Sequence, residues 1–183
     1  MPFRAFISAD LPELQGLASL GKELAASGGQ LKLVDPAHLH VTLKFLGNTD
    51  EELVPQISEA MRASIRGIGP FPVRVVGTGA FPSLSRMSVI WIGLEDAEPL
   101  DKIVDALERG LAPLGFPREA RPFFAHATIA RVRGSRHHGE VRGIVEAHRS
   151  EEFGEHRVDA IRLKQSVLTP QGPVYTIVDE VTL

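Results

Sequence analysis

His40-Val41-Thr42-Leu43 and His126-Ala127-Thr128-Ile129 are two copies of one pattern: a histidine, any residue, a threonine and an aliphatic residue, 86 residues apart. Successive side chains of a β-strand point to opposite faces, so each histidine shares a face with its threonine while the aliphatic residues point the other way. A proline lies four residues before each histidine, at Pro36 and Pro122. The sequence therefore predicts an internal duplication, in which two related strands each present an imidazole beside a hydroxyl.

Length and composition indicate one domain, residues 1–183, made of two interleaved similar lobes with one motif each. Cysteine is absent, which excludes disulfides, thiolate metal sites and a cysteine nucleophile. The first residues contain too short an apolar run for a signal peptide, and no stretch approaches the ~20 apolar residues that cross a bilayer. We therefore expect a cytoplasmic protein with no membrane contact.

The charge is small overall but unevenly distributed. A net charge of −3 argues against a protein that coats long nucleic acids through bulk electrostatics. Residues 118–142 contain six arginines and two glutamates, a local charge of +4, which leaves −7 for the rest of the chain (−3 minus +4). This basic segment brackets the second motif.

Hydrophobic periodicity predicts an α+β fold, because the element order is neither strict β-α-β alternation nor all β. Residues 49–52 resemble a capping box, followed by a helix that either begins near Val54 or is kinked at Pro55. Residues 77–83 are predicted to be a loop long enough to line a site. The predicted strands are 3–9, 31–34, 37–45, 71–76, 87–94, 123–132, 158–168 and 174–183, and the predicted helices are 14–24, 53–65, 100–114 and 141–148. We expect two similar lobes built on largely antiparallel sheets.

Two histidines in one cleft suit the cleavage of a phosphodiester, because imidazole titrates near ~6.5 and can be a neutral base or a charged acid. One ring can take a proton from the attacking water while the other protonates the leaving oxygen. Each threonine hydroxyl, on Thr42 and Thr128, can donate to a non-bridging phosphate oxygen. Because no step needs a metal ion, the pattern predicts a site with no metal and no cofactor.

A metal site is the alternative for some histidines, since His38 is two residues from His40, and His137 adjoins His138. No carboxylate lies at a convincing ligand spacing from them. We therefore interpret His137, His138 and two further histidines, His148 and His156, as surface residues.

The first motif strand contains two more candidate site residues, Lys44 and Phe45. Lys44 shares the predicted face of His40 and Thr42, so it either contacts phosphate or is a solvated lysine at a strand end. Phe45 lies five residues past its histidine, as Arg131 does in the second copy. Strict alternation turns both away from the histidines, so a strand end, bend or bulge is needed to bring them to the site. For Phe45 the alternative is a core position.

The chain resembles the 2H phosphoesterases, and within them the RNA 2′,3′-cyclic phosphodiesterases, also called 2′-5′ RNA ligases. Besides the paired motifs, the stretches that carry the resemblance are residues 36–47, 81–83, 89–93, 112–116 and 165–175. The sequence departs from the family at Ala125, where proline is frequent, and at Gln165, where glutamate is common. Neither departure removes a motif residue.

The resemblance implies two pseudo-symmetric lobes of mainly antiparallel sheet with outer helices around a central cleft. It implies metal-independent opening of an RNA terminal 2′,3′-cyclic phosphate to a 2′-phosphate, with weak 2′-5′ ligation as the reverse reaction. It makes His40 the general acid toward the 3′ oxygen and His126 the base toward water. It also implies a functional arginine at Arg131, which we expect to approach the terminal nucleotide from the lobe opposite Phe45, by phosphate contact or stacking.

Other functions are compatible with the same residues. One is a phosphoesterase that acts on a small cyclic nucleotide or on 2′-5′ oligoadenylate, and another is a module that binds RNA ends without turnover. The expected partner is an RNA 3′ end bearing a 2′,3′-cyclic phosphate or a small nucleotide, and no obligatory protein partner is evident.

Overall fold

A computed structural model describes all residues, 1–183. The nine strands are β1 (Phe3–Asp10), β2 (Leu31–Leu33), β3 (His40–Thr49), β4 (Phe71–Ser83), β5 (Arg86–Glu95), β6 (His126–Val132), β7 (Glu152–Val158), β8 (Ala160–Thr169) and β9 (Gly172–Thr182). They form one sheet in the order β7-β4-β5-β6-β3-β1-β8-β9, with β2 paired to β6, and every pairing is antiparallel. The predicted α+β class and the antiparallel sheet are confirmed.

Four helices supply the apolar side chains that cover the sheet. They are α1 (Gln15–Ala26), α2 (Val54–Ser64), α3 (Glu98–Leu111) and α4 (His138–Ala147). The leucine stripe of α1 and the Leu100, Ile103, Leu107 and Leu111 stripe of α3 are buried in one core cluster of 38 residues. That cluster also holds Val41 and the other aliphatic motif residues, so the histidines face away from the core.

Both motif strands begin at their histidine, later than the sequence predicts. Before His40, residues Pro36–His38 form a 3₁₀ turn, in which the Asp35 carboxylate accepts a hydrogen bond from Ala37 N at 2.9 Å. An aspartate and a proline together favour such a turn over an extended strand. His126 likewise opens β6.

Two predictions about local structure are wrong. Residues 49–52 form no capping box, because Thr49 ends β3 and donates its hydroxyl to Gly47 O, and α2 begins at Val54 after a 3₁₀ turn. Residues 77–83 are no loop either. Strand β4 continues through a bulge at Gly77, whose φ of +76° glycine adopts readily, and pairs with β5 as far as Ser83.

Strand β7 was not predicted from the sequence. Only Phe153 and Val158 of its seven residues are buried, because β7 is an edge strand with polar side chains at most positions. Such a strand shows little period-2 alternation, which is the signal that sequence analysis uses.

Candidate active site

The two motif strands meet at the middle of the sheet through a single pair, Val41 and Ala127. In this antiparallel register His40 lies across from Thr128, and Thr42 lies across from His126. Directly opposed Cβ atoms are about 4.5–5.5 Å apart and diagonal neighbours about 7–8 Å. The two histidines are therefore diagonal neighbours on one face, with the two threonines at the other corners of the same square.

The ring of each histidine is held by a hydrogen bond to a nearby backbone carbonyl. His40 Nδ1 lies 2.8 Å from His38 O, and His126 Nδ1 lies 2.7 Å from Phe124 O, the carbonyl two residues earlier in each case. A carbonyl only accepts, so Nδ1 carries the proton and donates it in both rings. This leaves Nε2 of each ring free, as an acceptor when the ring is neutral and as a donor when it is charged.

The surroundings of His40 lower its pKa, so its charged ring gives up a proton more readily than a free imidazolium does. Burial lowers the pKa of His40 below its ordinary value of 6.5, and Lys164 lowers it further, whereas the hydrogen bond to His38 O and the Asp10 carboxylate raise it. Lys164 is itself buried and forms an ion pair with Asp10, which stands opposite His40 in the sheet. A buried cation is therefore bound to the aspartate that lies across from the first histidine.

The same irregularity occurs three residues after each histidine. The register of β3 against β1 shifts at Leu43, and the register of β6 against β5 shifts at Ile129. An extra residue in a strand turns the following side chains to the opposite face. Phe45 and Arg131 thereby point to the side of the histidines, and both are exposed. The bulge that the sequence required for these two residues is present in both copies.

The bulge turns the Lys44 side chain to the face opposite the histidines, which corrects the prediction that it shares the face of His40. Lys44 is 3% exposed, and its Nζ donates to both carboxylate oxygens of Glu108, at 2.9 and 2.8 Å, and to Pro117 O at 2.6 Å. All three protons of the ammonium group are used. Lys44 is neither a phosphate contact nor a solvated lysine, and it ties β3 to α3 and to the segment before β6.

The other polar groups around the square have no protein partners. Neither the Thr42 nor the Thr128 hydroxyl forms a side-chain hydrogen bond, whereas the buried Thr78 hydroxyl donates to Val145 O at 2.6 Å. Arg131 has no carboxylate within 4.0 Å and lies across from Lys32 of β2. Two hydroxyls and one guanidinium are thus available to an anionic ligand.

Sequence analysis missed the aromatic side chains beside His40. Phe6 of β1 and Tyr175 of β9 lie 5.1 and 5.4 Å from its ring, measured between centroids. Phe6, Ser8 and Asp10 lie at every second position of β1 and share the face of the histidines. Period-2 alternation along β1 could therefore have identified Phe6 as a residue near the site. Nothing local indicates Tyr175, because it reaches the site only through the pairing of β9 with β8.

The remaining histidines lie outside the square. His148 contacts Glu23 and Glu151, His156 lines a cavity of about 230 Å³ beside Asp10, and His137 lies 3.3 Å from Glu140. No group of three or more His, Cys, Asp or Glu side chains is arranged as a metal-binding cluster. None of the helices has the length and apolar character needed to span a membrane.

Comparison with known proteins finds similarity over the whole chain. The sequence model described as "LigT like Phosphoesterase" matches twice, at residues 10–91 and 92–175. The RNA 2′,3′-cyclic phosphodiesterase of Archaeoglobus fulgidus is 39% identical over 94% of this chain and 96% of its own, and that of Methanothermobacter thermautotrophicus is 34% identical over 96% of both. The crystal structure of TT0787 of Thermus thermophilus superposes with a TM-score of 0.79 at 30% identity, covering 98% of this chain and 97% of that one. Escherichia coli LigT complexed with 3′-AMP, at 22% identity, a TM-score of 0.70 and coverage of 100% and 99%, shares the fold.

Proposed function

The chain belongs to the LigT-like phosphoesterase family, and from this membership we propose that it hydrolyses RNA terminal 2′,3′-cyclic phosphate to a 2′-phosphate. The observation that carries the proposal is the square formed by His40, Thr42, His126 and Thr128 at the junction of β3 and β6. Two imidazoles at opposite corners of this square, on one face of the sheet, suit in-line displacement at phosphorus, in which the two proton transfers take place on opposite sides of the phosphorus atom.

In the proposed reaction the oxygen of a water molecule bonds to phosphorus as the bond from phosphorus to the 3′ oxygen breaks. His126 Nε2 takes a proton from the water, and His40 Nε2 gives a proton to the 3′ oxygen. His126 therefore begins neutral and ends charged, whereas His40 begins charged and ends neutral. Thr42, Thr128 and Arg131 hold the non-bridging oxygens, where charge is greatest in the transition state. Both proton transfers use side chains of this chain, so the proposed step needs no metal ion.

We also propose that residues 1–183 act as one domain of two interleaved lobes. Support comes from the continuous sheet, whose centre is the junction of the two motif strands, and from the two matches of one family model, each of which contains one motif. On this proposal neither lobe is active alone, because each supplies one histidine.

The function is tested with a short oligoribonucleotide that ends in a 2′,3′-cyclic phosphate, incubated with the protein in excess chelator. We expect conversion to the 2′-phosphate, with no 3′-phosphate formed. Retention of the oligonucleotide without conversion would instead indicate a module that binds RNA ends. Turnover of adenosine 2′,3′-cyclic phosphate or of 2′-5′ oligoadenylate in the absence of turnover of the oligonucleotide would indicate the small-nucleotide enzyme.

The assignment of acid and base predicts the effect of Lys164→Met on the pH profile of kcat/KM. Loss of the buried cation removes its repulsion on the His40 imidazolium, so the pKa of His40 rises. An acid must be protonated, so activity is lost as pH rises through this pKa, and the alkaline limb should move to higher pH while the acid limb stays. The exposed Lys102→Met is the matched control and should move neither limb. Movement of the acid limb instead would make His40 the base.

A further inference from the structure

Two cations on the histidine side of the sheet face each other without a counterion. Lys32 of β2 lies directly across from Arg131 of β6, so the two side chains share one face. Like charges directly opposed on a sheet are destabilising, and no carboxylate lies within 4.0 Å of either cation. Elsewhere on this face a cation is neutralised by the protein, as Lys164 is by Asp10. The uncompensated pair is the arrangement expected of a surface that binds an anion.

Lys32 is not a freely solvated lysine. The residue is half-buried, and its Nζ lies 3.4 Å from the position that a Cβ atom would take at Gly172, the first residue of β9. The turn between β8 and β9 therefore reaches from the strands that carry His40 across to β2, which pairs with the strand of His126. The ammonium group lies between Arg131 and this turn, where partial loss of water makes an unpaired charge unfavourable.

The same hairpin brings a hydroxyl to this region. Tyr175 lies three residues after Gly172, and its ring packs edge to face on His40, with the centroids 5.4 Å apart. Burial raises the pKa of Tyr175, whereas the nearby positive charges of Arg131 and Arg4 lower it. No protein group forms a hydrogen bond with its hydroxyl. The phenol is therefore a protonated donor at neutral pH, within the influence of both arginines.

Arg4 adds a third cation, from the lobe of His40. It lies two residues before Phe6 on β1, on the face that Phe6 shares with the histidines, and it is exposed. It forms no ion pair with a carboxylate. Three cations from β1, β2 and β6 thus converge on the Tyr175 hydroxyl, and cationic donors with a hydroxyl and no carboxylate among them are the groups that bind a phosphate.

Lys32 lies outside the square of histidines and threonines. Arg131 is three residues past Thr128, which places its Cα about 10 Å along β6 from the square, and Lys32 is one strand further to the side. The Arg131 side chain is long enough to reach back to the square, and Lys32 is the cation beyond it. An RNA whose cyclic phosphate occupies the square carries its next phosphate on the 5′ side of the terminal ribose, and this is the anion available to Lys32.

We propose that Lys32, Arg4 and the Tyr175 hydroxyl bind the phosphodiester on the 5′ side of the terminal nucleotide, while the cyclic phosphate lies between His40 and His126. This inference rests on the proposed function. It narrows the substrate to the end of an RNA chain, because a cyclic mononucleotide has no such phosphodiester.

The test compares the dinucleotide ApA ending in a 2′,3′-cyclic phosphate with adenosine 2′,3′-cyclic phosphate. The unaltered protein should favour the dinucleotide in kcat/KM by about 10- to 100-fold, the contribution of a hydrogen bond between charged groups. In Lys32→Met this ratio should fall by at least about fivefold, and Lys32→Arg, which keeps the charge, should retain most of it. The ratio is the readout, because a general loss of activity or of folded protein slows both substrates alike.

The charge of the linkage is tested with the same dinucleotide in which an uncharged methylphosphonate replaces the phosphodiester between the two nucleosides. This separates the phosphate from the second base and ribose. The unaltered protein should lose most of its preference for the dinucleotide. Lys32→Met should then lower the ratio by less than about twofold more, because the linkage has no charge left for the lysine to bind.

Lys22→Met is the matched control, since it removes an exposed lysine of α1 and changes the net charge by the same amount, and it should leave the ratio within about twofold. The proposal is overturned, although the proposed function stands, if the unaltered protein hydrolyses the dinucleotide and the mononucleotide at equal kcat/KM. The same holds if the ratio survives in Lys32→Met, falls equally in Lys22→Met, or is undiminished with the methylphosphonate. If the protein hydrolyses neither substrate nor the longer oligonucleotide, the proposed function itself fails.

Discussion

His40→Ala and His126→Ala should each lower kcat/KM for an RNA 2′,3′-cyclic phosphate by at least about 10²-fold, and by up to about 10⁴-fold. Each imidazole carries one of the two proton transfers in the proposed step. No other ionisable side chain occupies a corner of the square that could replace either ring. Initial rates on the oligonucleotide substrate measure the effect.

Folding should be nearly unaffected by either substitution, which separates a chemical role from a structural one. Each ring makes one hydrogen bond, to the carbonyl two residues earlier, so its loss costs about 0.5–1.5 kcal/mol of the free energy of unfolding. The half-buried His138→Ala, at a histidine outside the square, is the matched control and should retain full activity. A normal rate in His40→Ala or in His126→Ala would remove that histidine from the mechanism.

Lys44→Met should lower the free energy of unfolding by about 3–5 kcal/mol, the largest effect on stability expected from a single substitution of a charged residue here. Glu108 would keep its hydrogen bond from Glu119 N but lose its buried cation, and Pro117 O would lose its donor. A buried carboxylate without its partner is strongly unfavourable. Urea unfolding measures the change.

Two variants show whether the ion pair causes the loss. Lys44→Met/Glu108→Leu removes both charges and should recover most of the lost stability, because an apolar pair of similar volume replaces a buried ion pair at little cost. Lys102→Met, on the exposed surface of α3, should change stability by less than about 0.5 kcal/mol. If Lys44→Met unfolds like the unaltered protein but binds the RNA end more weakly, Lys44 contacts phosphate, which is one of the two roles that the sequence left open.

Lys44 and Phe45 show what sequence analysis could and could not predict about the site. Their positions relative to His40 are visible in the chain, and period-2 alternation places Lys44 on the side of the histidine and Phe45 away from it. One inserted residue at Leu43 reverses both assignments. Whether a strand contains a bulge depends on the strand beside it, and here that strand is β1, some 35 residues earlier.

The aromatic residues around the histidines show the same limit. Phe124 is two residues from His126 and could be noticed in the sequence, but Trp91 and Phe81 reach it only because β4, β5 and β6 are neighbours in the sheet. The stretch around Phe81 was predicted to be a loop, because its glycines, proline and serine are turn formers. Pairing with β5 over its whole length overrides those local preferences.

The sequence by itself was enough to predict the fold class, an internal duplication and the four residues that form the square, because a repeated motif and strand alternation are local properties of the chain. Only the tertiary structure decided that the two motifs meet at Val41 and Ala127, that paired bulges turn Phe45 and Arg131 toward the histidines, and that Lys44 is buried against Glu108. Each of these depends on contacts between residues far apart in the chain. Such contacts form only when the whole sheet is assembled and its core is buried, so no local pattern records them.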